Sequence, residues 1–90
     1  MSLPLKQVRY FIATADSGQI SQAAIALNIS QSAVTAAIKQ LEETLGVALF
    51  QRQASGVSLS AEGARFLQHA RGIMAAVNAA ERADVRRGDA

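Results

Sequence analysis

The sequence contains no cysteine, which excludes a disulfide framework and any thiolate metal site. Its single histidine, His69, has no companion from which a metal site could be built, and no Ser/His/Asp set or glycine-rich phosphate loop suggests catalysis. Aromatic residues are scarce: Tyr10, Phe11, Phe50 and Phe66, with no tryptophan. No apolar run approaches the ~20 residues that cross a bilayer, and no signal peptide opens the chain. The expectation is a cytoplasmic protein with no membrane association, no cofactor and no enzymatic activity. Charge of one sign is lacking too: Lys and Arg number 9 against 7 Asp and Glu, a net charge of +2. That balance permits nucleic-acid binding without demanding it, so the functional argument has to come from arrangement.

What remains is aliphatic. Half of the 90 residues are hydrophobic, enough for a compact fold, and the alanine- and leucine-rich composition favours helices. A chain of this length forms one small domain that buries only about 60% of the surface exposed in its unfolded state, so a second subunit would help it.

Helical periodicity opens the chain. Leu5, Val8, Phe11, Ile12 and Ala15 fall on one face of a first helix, with Pro4 suited to its first turn and Gly18 to its stop. Ser21 is placed to cap a short second helix, Gln22 to Leu27, and Asn28 to close it in a left-handed turn. Ser30 caps a third helix that runs to about Leu45, before Gly46. The pattern then changes: 49–52 and 57–59 read as short strands joined by the four-residue connection Gln53-Ala54-Ser55-Gly56. Ser60 caps a fourth helix, with Glu62 in its first turn and an end near Arg86.

The segment from Ile20 to Lys39 has the layout of a helix-turn-helix, with a small residue, Ala24, where the two helices cross. Leu27, Ile29, Val34 and Ile38 are spaced to bury the inner faces. At about 100° per residue, Val34, Ile38, Leu41 and Leu45 share the inner side of the third helix. Opposite them stand Ser32, Ala36, Lys39 and Glu43, with Thr35 on the flank and Gln31 in the first turn. The N-terminal half of this outer face is small, polar and free of acid. Glutamine can read adenine bidentately, hydroxyls can bond bases or phosphates, and the threonine methyl can touch thymine. Arg52, just before the hairpin turn, can follow a phosphate or enter a minor groove. Lys6 and Arg9 are weaker phosphate candidates.

Four stretches together, Leu5-Lys-Gln-Val-Arg-Tyr-Phe, Ser30-Gln-Ser-Ala-Val-Thr, Gln40-Leu-Glu-Glu-Thr-Leu-Gly-Val-Ala-Leu-Phe-Gln-Arg and Gly56-Val-Ser-Leu-Ser-Ala-Glu-Gly, resemble the DNA-binding domain of the LysR-type transcriptional regulators. The likeness covers roughly residues 4–75. It implies a mainly α fold, a bacterial winged helix-turn-helix of three helices plus a short β-hairpin wing over 1–60, followed by a long linker helix over 61–90 that pairs two subunits. It further implies that Ser30, Gln31, Ser32, Thr35 and Lys39 belong to the recognition helix and Arg52 to the wing. Ser21 and Ala36 complete the candidate DNA-binding set. Double-stranded DNA is the implied partner, with a homodimer through the linker helix and a tetramer in the full-length protein. Family members normally continue into an effector-binding domain, which these residues do not contain. The sequence departs from the pattern where the family often has proline (Ser32) or a basic residue (Ala36 and Ser55), which removes positive charge from the expected interface. That deficit keeps an alternative in view: a winged-helix interaction or dimerisation module without DNA binding.

On the last helix Phe66, Ala70, Ile73, Val77 and Ala80 form a heptad-like stripe widened by Leu67 and Met74. Phe66, Leu67 and Ala70 are expected to cover the domain's own core. Past Arg71 a domain this small is expected to leave the stripe uncovered, so Ile73, Met74 and Val77 are expected to bury against a second copy; the candidate dimer interface as a whole is Phe66, Ala70, Ile73, Met74, Val77 and Ala80. Gly72, inside this helix, has no evident reason, and His69, at the edge of the stripe, is expected to be a packed or snorkelling residue and not a ligand.

Overall fold

The computed structural model describes residues 2–84, with side chains as far as Arg82. It is mainly α: α1 (Leu5–Ser17), α2 (Ile20–Leu27), α3 (Gln31–Leu45), the strands β1 (Phe50–Gln53) and β2 (Gly56–Leu59), and α4 (Ala61–Ala79). The last helix widens into a π-type turn over Ala80–Asp84. Its expected continuation to Arg86 lies outside the described residues.

In α1 the buried residues are Val8, Phe11 and Thr14. Leu5, expected on the inner face, is 40% exposed; Leu3, just before the helix, packs against the core in its stead. Thr14 tolerates complete burial because its hydroxyl donates to the Tyr10 carbonyl at 2.9 Å, which satisfies its polar atom inside the helix. Pro4 stands one residue earlier than expected, in the cap position, where its carbonyl accepts from the Gln7 and Val8 amides.

The second helix begins earlier than Ser21 would have it. Gln19 occupies the cap position without a side-chain cap bond, and Ser21 lies inside the first turn. Two neighbours explain the shift. Ile20 packs against the cluster of Ala23, Ala24, Val34 and Ile38, and Ser17 organises the turn, its hydroxyl donating to the Gln19 carbonyl at 2.9 Å. Asn28 adopts φ 59°, ψ 45°, and the Ile29 amide reaches back to the Ala24 carbonyl at 3.0 Å. This is the left-handed helix ending in which an otherwise orphaned carbonyl is satisfied. The turn thereby delivers Ile29 to the core and Ser30 to the start of α3, where the Ser30 hydroxyl accepts the Ala33 amide.

The antiparallel register pairs Phe50 with Leu59, Arg52 with Val57 and Gln53 with Gly56. The turn is therefore Ala54-Ser55, two residues and not four. Nor does Leu49 belong to the strand: it is wholly buried, its amide donating to the Glu42 carboxylate at 2.7 Å and its carbonyl accepting from the Ser60 amide at 2.9 Å. Phe11 links the layers, with ring centroids 5.3 Å from Phe50 and 5.2 Å from Phe66, separations typical of favourable tilted pairs.

Helix α4 starts at Ser60, whose hydroxyl accepts the Gly63 amide at 2.9 Å and donates to the Ala48 carbonyl at 2.6 Å. A methyl group on Gly63 would collide with the Leu49 carbonyl, so the first turn of α4 sits directly on the loop before the hairpin. Farther along, α4 lies against α1, tied by Arg71 to Asp16 at 2.6 Å. This packing corrects the expectation for the stripe beyond Arg71. Met74, like Ala70, is buried within the chain's own core, and Ile73 and Val77 pack partly against the same cluster. The domain covers more than its size suggested because α1 runs alongside the helix and supplies the second layer. His69, at the edge of the stripe, is exposed.

Candidate nucleic-acid interface

The surface starts from the outer face of α3. Ser30, Gln31, Ser32, Ala36 and Lys39 are exposed and Thr35 is half-buried, while Val34, Ala37, Ile38 and Leu41 are turned into the core. At the head of the helix the Ser30 and Ser32 hydroxyls lie 3.1 Å apart. In its first half Ser30, Ser32 and Ala36 are small and exposed, so Gln31 is the long side chain that projects from this part of the face.

Three hollows connect this face to its surroundings. In the first, Gln31 and Ser30 meet Ser21, Ile25 and Asn28 of the helix-turn-helix. In the second, Gln31 and Ser21 meet Gln19 and the hairpin residues Arg52 to Val57. The third lies between α3 and the hairpin, where Thr35 and Lys39 face Arg52 over a floor that includes Ile20, Ile38 and Phe50. Ser21, Ser30, Gln31, Thr35, Lys39 and Arg52, far apart in sequence, are thus brought onto one side of the molecule. Ser32 and Ala36 share their helix face. Lys39 and Arg52 supply its cationic charge. Glu42 borders the same hollow, with one carboxylate oxygen occupied by the Leu49 amide.

The two weaker phosphate candidates fall elsewhere. Arg9 lines a groove with Ile12, Asp16, Met74 and Asn78, beside α4, and Lys6 is exposed on the first turn of α1. Conversely, the structure adds Gln19, Asn28 and Gln53 to the margins of the face, beside the wing-tip Ser55. Periodicity could not have found Gln19, which sits in a turn and meets Ser55 across 36 positions; Asn28 was legible only as a turn residue. Among the described residues no three His, Cys, Asp or Glu side chains are grouped to hold a metal ion, and no helix is long and apolar enough to cross a membrane.

Residues 5–64 match the family described as bacterial regulatory helix-turn-helix protein, lysR family. The chain belongs to that family. It is the winged helix-turn-helix, DNA-binding domain of a LysR-type transcriptional regulator; the family is one of regulators, not enzymes. Over 72 residues, 80% of the chain, it is 47% identical to the HTH-type transcriptional regulator ClcR of Pseudomonas putida. It is 43% identical over 86 residues to the regulator ShiR of Corynebacterium glutamicum. The chain spans 24% of the length of the first and 29% of the second. Among solved structures, the DNA-binding domain of BenM in complex with catB site 1 DNA superimposes with a TM-score of 0.89 at 30% identity, covering 98% of both chains. The DNA-binding domain of CbnR in its DNA complex gives 0.84 at 36% identity, covering 93% of this chain and 98% of that one. The winged helix-turn-helix fold is thus shared with these domains across nearly the whole chain.

Proposed function

We propose that this domain recognises specific duplex DNA by laying the N-terminal half of α3 in a major groove, with the hairpin touching the flanking backbone. The observation that carries the reading is the convergence of Gln31, Thr35, Lys39 and Arg52 on one acid-poor surface. Gln31 reads a base edge and Thr35 adds a hydroxyl or methyl contact. Ser21 and Ser30 bond phosphates at the groove's edge, Ser32 and Ala36 permit close approach, and Lys39 and Arg52 neutralise phosphates that fix register. The BenM and CbnR domains, both solved with DNA, support this arrangement.

The domain acts as a homodimer through α4, placing two recognition helices on two half-sites. Because Ala70 and Met74 are already buried within one subunit, the contact falls chiefly on the half-exposed edge of Phe66, Ile73 and Val77 and on the exposed Ala80. Residues 1–60 form the head and 61–90 the linker; in the whole regulator an effector-binding domain follows and pairs of dimers form a tetramer, in the bacterial cytoplasm where its operators lie.

Titration of the chain onto fluorescent duplexes at several salt concentrations tests the reading. Log affinity should fall linearly with log salt, by roughly 0.9 per phosphate contact, and shallowly, since few cations line the face. A folded chain that binds no duplex at low salt would instead support the interaction-module alternative that the low charge of the face favours.

A further inference from the structure

The hairpin is fastened to the turn between α1 and α2, remote from it in sequence. The Val57 amide donates to the Gly18 carbonyl at 3.0 Å. Gly56, at φ 147°, lies so close to Gly18 that a methyl group there would overlap its carbonyl oxygen. Above this backbone contact the Gln19 side-chain amide reaches the carbonyl of Ser55, at the hairpin tip, at 3.4 Å. Gln19 is itself fixed, since the Ser17 hydroxyl donates to its carbonyl at 2.9 Å, and its own carbonyl accepts the first hydrogen bond of α2 from Ala23. The residue that starts α2 therefore also holds the wing tip, and through α2 the wing is referenced to α3.

We propose that Gln19 is a positioning residue for DNA recognition: together with the Gly18–Gly56 contact it sets the wing against the recognition helix and so decides where Arg52 acts. The inference rests on the DNA-binding reading above. Two features make the side-chain contact specific to position. Ser55 and Gln19 are both exposed, so losing their bond removes little packing from the core. Arg52 stands on the strand that enters the turn and pairs with Val57, the residue bonded to Gly18, so displacement of β2 is passed directly to Arg52.

The test is a double-mutant cycle in the full chain, joining Gln19→Met, which keeps the length of the side chain but loses its donor, to Arg52→Ala. Gln19→Met should weaken DNA binding by about two- to tenfold, the equivalent of one ordinary hydrogen bond, with an unchanged melting temperature. In the Arg52→Ala background the same substitution should cost nothing further. An equal loss in both backgrounds would overturn the proposal, because Gln19 would then act on DNA or on the fold independently of the wing. No loss in the parent background would overturn it as well. Amide exchange at Val57, measured without DNA, should quicken in Gln19→Met and more so in Gly56→Ala; unchanged protection in Gln19→Met would show that the wing is held without Gln19. A parent chain that binds no duplex would defeat the DNA-binding reading, whereas the exchange measurement would still decide whether Gln19 anchors the hairpin.

Discussion

Replacing Ser60 with alanine should cost more stability than a helix cap ordinarily contributes, and the structure says by how much. The Ser60 hydroxyl accepts from the buried Gly63 amide and donates to the Ala48 carbonyl, at a residue only 7% exposed. Its removal strands the amide where water cannot replace the bond, a cost of about 1–3 kcal/mol, and forfeits the second bond, about 1 kcal/mol more. The sum, roughly 2–4 kcal/mol, is a large part of the approximately 5–13 kcal/mol expected for a domain of this length. Ser30→Ala is the internal control. Its hydroxyl also caps a helix, accepting from Ala33 at 3.1 Å, but in an exposed setting where water substitutes, so about 0.5–1 kcal/mol should be lost. Urea unfolding followed by circular dichroism, with unchanged slopes as the check on two-state behaviour, measures both. Equal losses in the two variants would refute the argument that burial of the cap, and not capping itself, sets the cost.

Two glycines of α4 should respond in opposite directions to alanine. Gly72→Ala meets open space and should raise stability by about 1 kcal/mol, whereas Gly63→Ala drives a methyl group into the Leu49 carbonyl and should cost about 3 kcal/mol or more; thermal melts of both decide. On a panel of DNA sites, Gln31→Ala should flatten preference at particular base pairs and cost about 1–3 kcal/mol on the best one. Lys39→Ala should weaken good and poor sites alike and reduce the salt slope by about one unit. Ile73→Asp should give a folded monomer by sedimentation at concentrations where the parent is dimeric, with affinity for a two-fold operator falling toward that of a half-site. Met74→Asp should instead lose its helical signal, because its charge would be buried in the chain's own core.

Local chemistry is what the sequence states most clearly. Asn28 announces a left-handed helix end, Ser30 and Ser60 announce caps, and the inner residues of α3 follow from a 3.6-residue period; each depends on neighbours within four positions. The misreadings arise where distant residues decide. Ser21 is a better cap than Gln19 by preference, but the packing of the partly buried Ile20 and the hydroxyl of Ser17 start α2 earlier. Thr14 counts as polar in any periodic pattern, yet one bond within its own helix lets it enter the core. The hairpin register places Gln53 and Gly56 in the ladder, and the docking of Gly56 on Gly18 is visible only once the strands are folded back. Most instructive is Met74, which the helical stripe assigns to an outer surface and α1 covers. The candidate interface was legible in its α3 residues and Arg52, because side-chain chemistry and helical phase suffice there. The marginal positions Gln19 and Gln53 were not, because they are defined by the approach of the hairpin to a turn that lies 36 positions before the Ser55 it meets.

The central claim, that the outer face of α3 with Arg52 reads DNA sequence, is tested most directly by selecting binding sites from a random duplex pool with the parent chain and with Gln31→Ala. The parent should enrich a site whose two halves are related by two-fold symmetry and spaced by about one helical turn or a multiple of it, and Gln31→Ala should lose information at the same one or two positions in each half. Enrichment of no sequence by the folded parent, or an identical motif from both proteins, would contradict the account.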